Sequence, residues 1–82
     1  MMVQIYVLDV PEFQPIVEGA RRVGIEVSGP TKGYYVMTGN REVVLSRKAL
    51  GLKPAVWYSS LSGGLEGRIV QFDRDTLRIV EP

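Results

Sequence analysis

The stretch Val3-Gln4-Ile5-Tyr6-Val7-Leu8-Asp9-Val10 reads as a β-strand with apolar residues on both faces. Side chains alternate along a strand, so Val3, Ile5 and Val7 point one way and Tyr6, Leu8 and Val10 the other. A chain of 82 residues has few elements with which to cover two apolar sheet faces. At this size only about 60% of the surface exposed by the unfolded chain is buried on folding. The strand therefore raises a question of assembly: what covers its second face.

Working outward, Asp9-Val10-Pro11-Glu12-Phe13 has the features of a helix start. A proline in the first turn loses no hydrogen bond, and an acidic residue there complements the helix dipole. Phe13, Ile16, Val17, Ala20 and Val23 recur at helical spacing, and Gly24 supplies the stop, so the spacing predicts a helix over residues 11–23. Ile25-Glu26-Val27-Ser28 follows as a short strand, and Gly29-Pro30-Thr31-Lys32-Gly33 as a loop cluster. Tyr34-Tyr35-Val36-Met37-Thr38 and Arg41-Glu42-Val43-Val44-Leu45-Ser46 flank Gly39-Asn40, a dipeptide suited to a primed turn, which predicts a hairpin. Arg47–Leu52 has room for one helical turn. Pro54 just inside and Gly63-Gly64 just past the end favour a helix over residues 54–62, against the strand preference of Val56-Trp57-Tyr58. A second hairpin closes the chain, with strands at 68–72 and 76–80 around Asp73-Arg74-Asp75.

The order is β-α-β-β-α-β-β. It predicts a single α+β domain over residues 1–82. Two helices lie on one face of a mostly antiparallel sheet of four to five strands, with a ferredoxin-like (split βαβ) arrangement as the simplest match.

Composition narrows the function more than it defines it. With 45% apolar and 23% charged residues the chain is that of an ordinary folded domain. Ten Lys and Arg against nine Asp and Glu leave a formal charge of +1, with the basic residues scattered. That balance offers no electrostatic footprint for nucleic acid or an anionic membrane. Without cysteine there is no thiol catalysis and no thiolate metal site, and without histidine the commonest general base and metal ligand are both missing. Met1-Met2-Val3-Gln4 lacks a basic leader, and no run reaches the roughly 20 apolar residues of a membrane span, so a cytoplasmic location is expected.

The motifs that resemble chemistry have plainer readings. Ser59, Ser60 and Ser62 have no histidine to take a proton and read as polar positions of a short helix. Asp73-Arg74-Asp75-Thr76 lacks the further oxygen ligands, glycine and distal glutamate of a calcium loop and reads as a turn. Ser28–Gly33 and Ser62–Gly67 are glycine-rich, but neither precedes a helix as a phosphate loop must. Tyr34 and Tyr35 face opposite sides of their strand, without the surrounding signature of an RNA-binding sheet. Trp57 reads as a core anchor.

Asp9-Val10-Pro11-Glu12-Phe13, the helix after it and Gly24-Ile25-Glu26-Val27 resemble the first half of an ACT regulatory domain. That family has an Asp-x-Pro-Gly-x-Leu junction, a helix and a glycine-led strand; here Glu12 stands in place of the junction glycine. The resemblance covers about twenty residues and implies a ligand-sensing role.

These readings predict no catalytic residues, no metal site and no cofactor. They predict a homo-oligomer, as a dimer, or a small subunit bound to a protein partner, with Tyr6, Leu8, Tyr34 and Tyr35 as interface candidates. The alternative is a small-ligand sensor with Asp9, Phe13 and Lys32 near its site. A carboxylate- or lysine-dependent enzyme and an RNA-binding sheet stand behind these two.

Overall fold

The opening strand forms with its alternation intact. In the computed structural model, which describes residues 2–82, β1 (Met2–Leu8) buries Val3, Ile5 and Val7 completely or nearly so. Gln4, Tyr6 and Leu8, on its other face, stay partly accessible. A 3-10 turn at Pro11–Phe13 leads into α1 (Gln14–Arg22), with Pro15 in the first turn where it breaks no helical hydrogen bond. The helix ends as the sequence predicts. The Ile25 amide donates to the Ala20 carbonyl and the Gly24 amide to the Arg21 carbonyl, the pattern of a Schellman cap.

β2 (Glu26–Thr31) and β3 (Tyr34–Asn40) follow, then β4 (Glu42–Ser46), α2 (Arg47–Leu50), α3 (Pro54–Ser59), β5 (Leu65–Glu66), β6 (Arg68–Phe72) and β7 (Thr76–Val80). All strand pairings are antiparallel, and they make two sheets rather than the one expected. The first has the order β2-β3-β1-β5 and the second β4-β7-β6. The helix expected at residues 54–62 is present as α3. With α2 the helices number three among the described residues, not two.

The hairpin expected at Gly39-Asn40 does not form. β3 pairs with β1 and β2, whereas β4 pairs with β7 in the other sheet. Instead of folding back, the chain bends at Arg41, whose φ is 74°, and continues. The primed turn lies one strand earlier, at Lys32-Gly33, where φ is 54° and 84° and Thr31 pairs with Tyr34. The chain passes between sheets a second time at Gly67, between β5 and β6, with φ 147°. A Cβ at Gly67 would stand 2.7 Å from Ile79 Cγ2 and 2.9 Å from the Val80 carbonyl oxygen, so only glycine fits there. Strands that switch sheets at such points form the corners of a sandwich. The second expected hairpin is present as β6–β7.

One core lies between the sheets. Val3, Ile5, Val7 and Met37 come from the first sheet and Val43, Leu45, Leu77 and Ile79 from the second. Ile16, Val17 and Ala20 of α1 join them, with Leu50, Leu52 and Trp57. Each large aliphatic side chain buried there is worth about 1.5–3 kcal/mol of transfer free energy. Gly19 lets α1 approach α2 closely, since a Cβ on it would lie 2.7 Å from the Leu50 carbonyl oxygen. The result is a small, compact α+β fold. Among the described residues, no helix is long and apolar enough to cross a membrane.

The two sheets differ in what they turn outward. The second sheet presents Glu42, Ser46, Thr76 and Arg78 beside Val44, and the Arg78 guanidinium reaches the Glu42 carboxylate at 3.0 Å. Val44, Ile69 and Val70 are also exposed on this sheet, singly among the polar and charged side chains. The first sheet is different.

Candidate functional site: the open face of the four-stranded sheet

Strand register arranges the part of the first sheet's outer face that β2 spans in three rows, beyond which Met2 pairs with Asn40 at the far end of β1 and β3. The first reads Glu26, Thr38, Gln4, Glu66 from β2 through β3 and β1 to β5. The second reads Ser28, Val36, Tyr6 and the third Thr31, Tyr34, Leu8. Their strand neighbours Val27, Tyr35, Met37, Ile5 and Val7 point to the core side, as period-2 alternation requires.

Tyr6, Thr31, Tyr34, Val36 and Gly63 enclose a shallow depression of about 450 Å³. Its walls are mostly ring carbon and methyl groups. Gly63 reaches it because the segment before β5 crosses close over β1; a Cβ there would collide with the Tyr6 carbonyl oxygen. The Tyr6 amide donates to the Gly64 carbonyl at 3.0 Å and pins the segment in place. The Tyr6 hydroxyl donates to Gln4 Oε1 at 3.0 Å. Its pKa is pushed above the ordinary tyrosine value, first by desolvation, then by the charge of the Glu66 carboxylate and a hydrogen bond with it.

Of the interface candidates, Tyr6, Leu8 and Tyr34 lie together on this face. Tyr35 does not. It packs against the core, with the Arg21 guanidinium 5.8 Å from its ring centroid. None of the ligand candidates Asp9, Phe13 and Lys32 lines this depression. The Asp9 amide donates to the Gly33 carbonyl at 2.8 Å, which brings the end of β1 beside the Lys32-Gly33 turn. The Asp9 carboxylate accepts from Gln14 Nε2 at 3.2 Å, while Phe13 is partly buried against the core. Val36, Thr31 and Gly63 were not singled out from sequence. The phase of Val36 with Tyr34 was available as a signal, but the approach of Gly63 to β1 depends on tertiary structure.

The other chemical motifs are used structurally. Ser59 Oγ donates to the Ala55 carbonyl and buried Ser60 Oγ to the Trp57 carbonyl at 2.7 Å. Asp73 accepts from the amides of Asp75 and Thr76 and from Gln71 Nε2, whereas Asp75 pairs with Arg47. Among the described residues, no group of three acidic side chains is placed to hold a metal ion.

No family model matches the chain, and no curated protein matches it. The likeness to ACT domains therefore rests on residues 9–27 alone.

Proposed function

We propose that the protein is a cytoplasmic, non-catalytic interaction module that works as a homo-oligomer or as a small subunit of a larger assembly. It binds through the outer face of the four-stranded sheet. The observation that carries this reading is the apolar depression on the outer face of the four-stranded sheet. Tyr6, Tyr34 and Val36 line it with Thr31 and Gly63, and Leu8 lies in the adjoining row. Contiguous apolar surface of this kind typically marks an interface. Light scattering across a concentration series tests it. Assembly raises the mass above the monomer's 9.1 kDa, and Val36→Asp returns it there while circular dichroism stays native. A wild-type chain that remains at 9.1 kDa at every concentration overturns the reading.

A kinship with split βαβ folds belongs to the same proposal. Counting β5 as the fourth strand, the order β2-β3-β1-β5 supports it, and the three-stranded second sheet is then an addition. The second reading is a small-ligand sensor, favoured by a depression whose volume of about 450 Å³ is in the range of small-molecule sites. A ligand screen by thermal shift separates the two, because a ligand that binds the folded state raises the melting temperature by mass action.

A further inference from the structure

The outer face of the four-stranded sheet carries charge at its ends as well as apolar surface at its centre. The first row ends in a carboxylate on each edge strand, Glu26 on β2 and Glu66 on β5. The opposite end of the face is closed by the β2–β3 turn, which carries Lys32. Glu26 and Lys32 are both exposed, and no ion pair among the described residues holds either. The middle row, Ser28, Val36 and Tyr6, separates the two ends.

We infer that a second copy of the chain covers this face, stacked about a two-fold axis that runs across the strands, so that Glu26 of each copy meets Lys32 of the other. The inference rests on the reading of this face as the contact surface. Two stacked copies of one face can be related by a two-fold axis in the plane between them, and two directions are natural. With the axis along the strands, edge strand β2 lies over β5 of the second copy, and Glu26 faces Glu66, carboxylate against carboxylate. With the axis across the strands, β2 lies over β2 and the first row lies over the third. Glu26 then faces the turn bearing Lys32, and the symmetry repeats the contact. Val36 and Tyr6 meet their own counterparts at the centre, which fills the depression.

Electrostatics thus selects one of the two stackings, since like charges placed opposite each other suppress an arrangement that opposite charges favour. Three strands of six or seven residues about 4.8 Å apart, with the two-residue β5 at one edge, give a flat area on the order of 300 Å². A face of that size is smaller than a standard specific interface, so the contact is that of a weak dimer in measurable equilibrium with the monomer.

Charge reversal tests the stacking. Wild type, Glu26→Lys, Lys32→Glu, Val36→Asp and an equimolar mixture of the two charge variants are compared by light scattering over a concentration series at low salt. Each single reversal places like charges at two symmetric contacts and is expected to weaken dimerisation about ten-fold. In the mixture, both contacts of the heterodimer are again between opposite charges, and association returns to the wild-type level. Added salt narrows the gap between wild type and the reversals. A dimer abolished by Val36→Asp but indifferent to both reversals, or a mixture that fails to recover, overturns this stacking and leaves the face as the interface. A wild-type chain fixed at 9.1 kDa overturns the interaction reading itself, and the stacking with it.

Discussion

The indole N–H of Trp57 donates to the backbone carbonyl of Asp73 at 2.7 Å, joining α3 to the turn between β6 and β7. Trp57 has no exposed surface, and its ring meets Phe72 edge-on with centroids 5.8 Å apart. One side chain therefore fills the core and ties a helix to the second sheet. Trp57→Phe keeps most of the packing but leaves the Asp73 carbonyl without this donor, an expected loss of about 1–3 kcal/mol. Trp57→Ala removes both and is expected to cost about 3–5 kcal/mol. Urea denaturation followed by circular dichroism measures both, since the chain has one tryptophan and its fluorescence disappears in the variants.

The turn that receives this bond has its own pH dependence. The Asp73 pKa lies below the ordinary carboxylate value, chiefly through the hydrogen bond from the Gln71 side chain and then through the amides of Asp75 and Thr76. A depressed folded-state pKa adds stability that is fully present above the unfolded value and is lost as pH falls through the folded one. Wild type is therefore expected to exceed Asp73→Ala in stability by a constant margin at neutral pH. The margin shrinks once the pH drops below the ordinary aspartate range. Denaturant midpoints measured from neutral to strongly acid pH check the trend. A margin that widened toward acid would contradict it.

Tyr6 behaves in the opposite sense. Its pKa is raised by desolvation and then by Glu66, so the stability linked to it is fully present below the ordinary tyrosine value. That stability is lost as pH rises through the higher folded value. The difference in tyrosinate absorbance between wild type and Tyr6→Phe isolates this group from the other three tyrosines. Glu66→Gln is expected to lower the Tyr6 pKa only in part, because desolvation, the leading cause, remains.

Gly67 tests the corner between the sheets. Gly67→Ala adds a methyl group 2.7 Å from Ile79 Cγ2 at a φ of 147°, and is expected to lose more than about 2 kcal/mol. Gly24→Ala, at φ 88° with no atom within 4 Å of the added Cβ, is expected to cost only about 1 kcal/mol. Equal losses at the two positions would remove the close approach as the cause.

How far the fold could be read from sequence depended on how local each cause was. α1 and its end were legible because the apolar period, Pro11 and Gly24 all act within a few residues. The β6–β7 hairpin was legible for the same reason, with Asp73 bonding amides two and three residues ahead. The pair Lys32-Gly33 and the pair Gly39-Asn40 both tolerate positive φ, and composition did not separate them. The choice was made by pairing partners far along the chain: β1 for β3 and β7 for β4. The division into two sheets follows from the same long-range pairing. At the site, period-2 alternation already placed Tyr6, Leu8 and Tyr34. Tyr35 fell to the core side because it alternates with Tyr34 and shares the face of Met37, and Gly63 joined the site only through its close approach to β1.

The order of strands also bears on how the chain is made. β7, synthesised after both of its neighbours, lies in the middle of its sheet, and β4 and β6 are hydrogen-bonded to it rather than to each other. Until residues 76–80 emerge, those two strands have no neighbour in their sheet, and the crossings at Arg41 and Gly67 have nowhere to lead. Vectorial synthesis therefore delivers the keystone after the strands it joins, and residues 42–72 are expected to stay protease-sensitive until then. They should become resistant in a single step once β7 is released.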